Sequence, residues 1–369
     1  MLEMRQVEGF LFSALSLSSS SLAVISLLLK KLTAAVLLAD VACHAKHVPS
    51  RYIRPPSSRP NIADVDASGS AIIPLVDLRD LSGPGRAAVV KAIGSACRGH
   101  GFFQVANHGI PDDVITSMLR VAREFFRQPE SERLKMYSDD PSRTTRLSTS
   151  FNTRTEEVAS WRDFLRLHCF PLEDYVHEWP ANPPAFREAV AEYAMNARRL
   201  ALSLLGAISE SLGLETDWLA AALGKQAQHM AVNYYPPCPE PELTYGLPGH
   251  KDPNAITLLL QDGVSGLQVL GQNGRWIAVD PVPGNLVLSN DRYKSVLHRA
   301  VVNNSTERIS VPTFYCPSPE AVIKPAPALV DEEHPAAYRE FTYGEYYDKF
   351  WDRGLQRESC LDMFRVANL

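Results

Sequence analysis

The sequence predicts an α+β protein in which a mainly helical first part leads into an antiparallel β-sandwich or barrel. Three observations predict it. Before residue 213, apolar residues recur at helical intervals in three separate stretches. After Gln226 short β-type runs alternate with Gly, Pro and Asn turns until about Lys324. From Tyr338 to Phe364 the chain returns to helical sequence with a dense aromatic set. These shifts divide the chain into a hydrophobic extension (1–50), a mainly helical region (51–225), a β-rich core (226–325) and a helical tail (326–369).

Each element has its own signal. Phe10 to Leu29 is uncharged over 20 residues and is followed by Lys30-Lys31. That length spans a bilayer, but the many serines weaken the reading. A signal peptide and an atypical start arising from gene prediction are the other readings, and the last is favoured. The body of the chain is expected to be soluble and cytoplasmic. Arg51 to Asn61 is an extended, Pro- and Arg-rich lead-in, and Ala71 to Leu78 reads as a short apolar strand. Val90, Ile93 and Cys97 place Arg86 to His100 on a helix that Gly99-His100-Gly101 stops. Phe102 to Val105 is a strand, Asn107-His108-Gly109 a turn, and Asp112 opens a helix through Phe126. Residues 131–185 are irregular apart from a strand near Phe164 to His168. Phe186, Val190, Tyr193, Ala197, Leu200, Leu204 and Ile208 define a long amphipathic helix over Pro184 to Leu212. The expected strands beyond it are His229–Tyr235, Ala255–Gln261, Leu267–Leu270, Trp276–Val279, Ser295–Val302 and Arg308–Tyr315.

Composition excludes several functions. The chain of 369 residues is 45% hydrophobic with a net charge of −5, and it has no basic run or stripe, which argues against nucleic acid as a partner. Its six cysteines are scattered with no C-x-x-C pair, which argues against structural zinc and for free thiols in a reducing compartment.

The chemistry concentrates in the β-rich part. His250 and Asp252 are two apart, so on a strand they share a face and reach one metal together. His298, in a second strand-like run, supplies a third ligand. Two imidazoles and one carboxylate on one side of an octahedral ion leave open positions, the arrangement of non-haem iron(II) oxygenases. Alone, such a pair is more often a surface turn. Arg308 and Ser310 again share a strand face, and an arginine fork beside a hydroxyl suits the distal carboxylate of a dicarboxylate cosubstrate.

With NYYPPCP (Asn233 to Pro239), GLPGHKDPNA (Gly246 to Ala255) and NDRYKSVLHR (Asn290 to Arg299) in view, the chain resembles the plant soluble iron(II)- and 2-oxoglutarate-dependent dioxygenases from about Arg51 to its end. LSTSFN (Leu147 to Asn152), WRDFLRLHC (Trp161 to Cys169) and YYDKFW (Tyr346 to Trp351) carry a finer resemblance to the downy-mildew-resistance-type oxygenases, which include salicylate hydroxylases and flavone synthases. The resemblance implies a distorted double-stranded β-helix, or jelly roll, flanked by helices. It implies Fe(2+), with 2-oxoglutarate and O2 as cosubstrates, ascorbate as reductant and a small aromatic substrate. Tyr235 would join Arg308 and Ser310 at the 2-oxoglutarate carboxylate, with Asn233 nearby unless it only forms a turn. Ser150, Phe151 and Asn152 would line the substrate side, and Phe314 would stack on substrate; for both phenylalanines core packing is the alternative.

Three departures from that pattern stand out. About nine residues are expected to be missing between the equivalents of Val287 and Leu288, a loss that either exposes sheet edges and shifts His298 or is compensated by the fold. An inactive, ligand-binding relative is the alternative function this raises. Lys251 stands where threonine is usual, pointing away from the metal as a solvated lysine or, at the pocket mouth, favouring an acidic substrate. The hydrophobic start is the third.

Overall fold

Pro111 followed by Asp112 and Asp113 begins a helix for two reasons: proline has set the entry geometry and the carboxylates face the positive end of the helix dipole. The computed structural model describes residues 37–66, 73–153, 156–282, 285–289, 296–353 and 360–366. The hydrophobic stretch Phe10 to Leu29 and much of the Asn290–Arg299 run lie outside them. No helix among the described residues is long and apolar enough to cross a membrane.

Among the described residues three long helices precede the β-rich part, with shorter ones between them: α1 (Arg86–Gly99), α2 (Asp112–Phe126) and α3 (Phe186–Ser211). Gly101 ends α1 at φ +63°, a left-handed conformation that glycine adopts without steric cost. Every residue of the expected stripe on α3, from Phe186 to Ile208, is buried. The last helix, α4 (Tyr343–Arg353), comes from the aromatic tail.

The strands are β1 (Val65–Asp66), β2 (Leu75–Asp77), β3 (Phe102–Ala106), β4 (Thr145–Thr149), β5 (Asp163–His168), β6 (Ala227–Tyr235), β7 (Leu247–His250), β8 (Ile256–Gln261), β9 (Leu267–Leu270), β10 (Trp276–Ala278), β11 (Leu286–Ser289), β12 (His298–Ala300) and β13 (Arg308–Cys316). They form two sheets, and β14 (Val322–Ile323) pairs with β15 (Phe341–Thr342) in a small third one. The smaller of the two runs β1-β10-β9-β12-β7, and the larger β2-β3-β11-β8-β13-β6-β5-β4.

The larger sheet has two different faces, because successive side chains on a strand point to opposite sides. Leu165, Leu167, Met230, Val232, Ile309 and Val311 enter one core with Val121 and Phe125 of α2 and Tyr193 and Leu204 of α3. Each fully buried side chain of this size contributes roughly 1.5–3 kcal/mol. A one-residue slip in any strand would put the apolar set on the wrong side, so this core also locks the register. The opposite, concave face carries Arg308, Ser310, Asn233 and Tyr235.

The structure differs from the sequence reading in two places and decides between its alternatives in a third. β4 arises within the stretch read as irregular, and its five residues are all buried against β5. Asp252 lies just beyond the end of β7 and not on the strand with His250. The third place is the expected internal gap, where the second alternative holds and the sheet closes. Leu286–Ser289 is hydrogen-bonded to β3 on one side and β8 on the other, so the sheet has no open edge at that position. Four residues between two strands are enough to complete both ladders, because the pairing needs backbone groups and not a particular loop length. All six cysteines are free, with only Cys43 exposed.

Candidate active site

His250 ends β7 and His298 opens β12, and the antiparallel register sets the two directly opposite each other. Their ring centres are 4.2 Å apart. Asp252, on the turn after β7, places Oδ1 at 3.7 Å from Nε2 of each histidine. The three ligand atoms lie within 4.8 Å of one another.

The backbone decides which nitrogen faces the common point. Nδ1–H of His250 donates to the Pro248 carbonyl at 2.9 Å, and Nδ1–H of His298 donates to the Val296 carbonyl at 3.1 Å. A carbonyl can only accept, so Nε2 keeps its lone pair in both rings. Burial, followed by the neighbouring His298 ring, lowers His250 below its ordinary value, so it stays neutral and available to a metal. Thr257 donates to Oδ2 of Asp252 at 2.7 Å, leaving Oδ1 turned to the histidines, and Asn254 donates to the Thr257 hydroxyl at 3.1 Å. Sequence reasoning had not identified these orienting partners. Replacing Thr257 by valine should weaken iron(II) binding by about 10- to 100-fold, read in an anaerobic titration. An unchanged affinity would show that Thr257 does not orient the carboxylate.

The second part of the cavity comes from β6 and β13. Arg308 pairs with Tyr235 and Ser310 with Asn233, so the four residues share the concave face. All four are buried. Nε of Arg308 donates to the Val264 carbonyl at 3.0 Å and Nη2 to Gln261 Oε1 at 2.8 Å. Nη1 is buried with no hydrogen-bond partner among the described residues. Its guanidinium carbon stands 5.1 Å from the Tyr235 ring centre. Glycines permit this packing: a Cβ on Gly266 would meet Arg308 Cδ at 2.9 Å, and one on Gly246 would meet the Tyr235 ring at 2.6 Å. Asn233 donates to the Ser310 hydroxyl at 3.2 Å and accepts from Arg162 Nη1 at 3.3 Å. A turn is thus not its role here, since it lies within β6.

One cavity is lined by the three ligands together with Tyr235, Asn233, Arg308, Ser310 and Phe314. Ser150, Phe151 and Asn152 are not among its lining residues. The Ser150 hydroxyl is committed to Glu156 at 2.6 Å, and the Asn152 backbone N–H donates to the same carboxylate at 2.9 Å. Phe151 stacks on Trp351 of α4, with centroids 5.1 Å apart and planes 10° from parallel. Lys251 is half-buried and does not line the cavity. Sequence reasoning missed Gln261, Thr257, Gly266 and Arg162. Only Arg162 stood within a quoted motif; the others are ordinary residues whose role depends on folding.

The donor set fits iron(II): two neutral imidazoles and a carboxylate on one side of a common point, with the rest of the cavity open to other ligands. The unpaired Nη1 of Arg308 in the same cavity fits an acidic cosubstrate. Comparison with known proteins places this arrangement. Residues 73–184 match the family described as the non-haem dioxygenase in morphine synthesis N-terminal region, and residues 226–317 match the 2OG-Fe(II) oxygenase superfamily. The chain belongs to the plant 2-oxoglutarate- and iron(II)-dependent dioxygenases. It is 58% identical over 343 residues to protein DMR6-LIKE OXYGENASE 2 of Arabidopsis thaliana, covering 90% of this chain and 98% of that protein. It is 56% identical to flavanone 3-dioxygenase 2 of Oryza sativa subsp. japonica, covering 86% of this chain and 94% of that one. Among solved structures, that of JOX2 in complex with 2OG, Fe and JA superposes with a TM-score of 0.79 at 32% identity, over 90% of this chain and 98% of that chain.

Proposed function

We propose that the protein oxidises a small aromatic metabolite, by hydroxylating salicylate or by oxidising a flavanone, at an iron(II) centre held by His250, Asp252 and His298. The observation that carries this reading is the unpaired, buried Nη1 of Arg308 in the same cavity as the three ligands. In this reading the two sheets are the halves of a distorted double-stranded β-helix, and its core spans residues 226–325 between a helical region (51–225) and a helical tail (326–369). The relative named for flavanone oxidation supports an aromatic substrate.

Iron bound with 2-oxoglutarate supplies the oxidising power, by coupling decarboxylation to succinate and CO2 with O2 reduction; ascorbate would keep the metal ferrous. The chain's own residues supply position. Arg308 and Ser310 hold the distal carboxylate of 2-oxoglutarate, Tyr235 closes over it, and Asn233 fixes the Ser310 hydroxyl. Phe314, on the concave face of β13, offers a ring surface toward substrate. Phe151, stacked on Trp351, walls the substrate side from α4, and Ser150 and Asn152 hold that segment through Glu156.

Succinate release by the full-length protein, with salicylate and naringenin offered separately, tests the reading. Iron- and 2-oxoglutarate-dependent succinate above the uncoupled background is expected with one of them. A folded protein giving no such increase with any aromatic would be a binding protein and not an enzyme.

A further inference from the structure

The concave face of the larger sheet continues past the metal cavity onto β5 and β4. Arg166 pairs with Ala231 on one side and with Arg146 on the other, so both arginines point to that face, as does Arg162 two positions before Phe164. Phe164 lies between two guanidiniums, with Arg162 at 4.6 Å and Arg146 at 5.4 Å from its ring centre. Arg146 and Arg162 are only 7% and 6% exposed. Arg162 also lines the metal cavity.

None of the three arginines makes an ion pair among the described residues. Arg162 donates to the Ser150 carbonyl at 3.0 Å and to Asn233, and Arg166 donates to the carbonyls of Pro141 and Arg143 at 2.7 and 2.9 Å. Arg146 reaches only the Ser138 carbonyl, at 3.5 Å. Nε of Arg146 and Nε of Arg166 are buried with no hydrogen-bond partner among the described residues. Asp139 and Asp140 act on Arg146, Glu156 and Asp163 on Arg162, and Asp140 on Arg166, all through space, while Arg162 also bonds to the Tyr235 phenol. Farther along the same face, burial holds His168 at about 4 and His229 well below its ordinary value, so neither adds charge. Burial, then Arg166 and Arg162, pull Arg146 down to about 10, which still leaves it charged at neutral pH. Tyr347 of α4 lies close enough to feel both Arg166 and Arg146.

Arg146 and Arg162 are buried and Arg166 is half-buried, and a cluster of cations in which two keep unfilled donors is costly to fold and is normally balanced by an anion. We propose that Arg146, Arg162 and Arg166 form an anion subsite beside the metal cavity that receives the carboxylate of an aromatic acid substrate. The inference rests on the oxygenase reading above and narrows it to charged aromatics over neutral flavanones. The Phe164 ring between the guanidiniums offers the aromatic part of such a ligand an apolar contact, while the unfilled donors take its charge.

The test is an anaerobic calorimetric titration of the full-length, iron- and 2-oxoglutarate-loaded protein with salicylate and with salicylamide, its uncharged analogue of similar shape. Salicylate should bind at least about tenfold more tightly, as expected for a charge-assisted bond in a desolvated site. Arg146→Met and Arg166→Met should each bring that ratio toward one, and Arg146→Lys should retain more of it. Equal affinities in the wild-type protein overturn the subsite without any variant having to fold. So does failure of both compounds to bind, or a ratio that survives both methionine replacements. A protein that turns over naringenin without preferring salicylate keeps the oxygenase reading and loses the subsite. A protein that prefers salicylate but releases no succinate keeps the subsite and loses the oxygenase reading.

Discussion

Replacing His298 by alanine is expected to lower iron(II) affinity by more than about 100-fold, beyond the loss caused by removing a single orienting hydrogen bond. Succinate release should fall with it. The reason lies in how the three ligands converge. His250 and Asp252 come from one strand end and the turn that follows it, whereas His298 is brought in by the pairing of β12 with β7. Without it, one imidazole and one carboxylate remain, too few to hold the ion against water. The Val296 carbonyl that orients His298 would also lose its donor. An anaerobic iron titration on the folded variant decides the matter; wild-type affinity would remove His298 from the metal centre. Because β12 follows the short Leu286–Ser289 strand, the same measurement also tests whether the ligand is correctly placed.

Arg308→Ala should raise the apparent KM for 2-oxoglutarate by roughly 30-fold or more. Truncating one partner of a buried, hydrogen-bonded charge pair costs about 2–5 kcal/mol, and each 1.4 kcal/mol is a factor of ten. The structure supplies the geometry for a loss of that size. Val264 and Gln261 pin two of the guanidinium nitrogens, so the third, Nη1, is held in the cavity without freedom to turn away. Arg308→Lys should recover only part of the affinity, since an ammonium keeps the charge but not the planar fork. An unchanged KM in the alanine variant would mean that the cosubstrate carboxylate is held elsewhere.

Much of this site was legible in the sequence because strands and helices impose short periods. The i, i+2 spacing of Arg308 and Ser310 places both on one face of β13, as the period of a strand requires. The apolar stripe from Phe186 to Ile208 marked the buried face of α3 with no residue misplaced. The same period argument was less secure for Asp252, which reaches the metal point from a turn that Thr257 steadies. β4 escaped notice because its sequence, Thr-Arg-Leu-Ser-Thr, is polar at every position but Leu147 and carries charge inward. Nothing local shows that two neighbouring strands will bury those positions.

The sequence by itself determined the types and the local pairing of the functional residues: the two histidines and the aspartate, the arginine with its serine, and the helices that close one side of the larger sheet. Tertiary structure alone decided which backbone carbonyls orient the imidazoles, which glycines make room for Arg308 and Tyr235, and that Arg146, Arg162 and Arg166 share one buried face. The physical reason is range. Side-chain periodicity is set by the backbone within a few residues, whereas a hydrogen-bond partner or an unbalanced charge depends on strands that meet only when the sheet is complete.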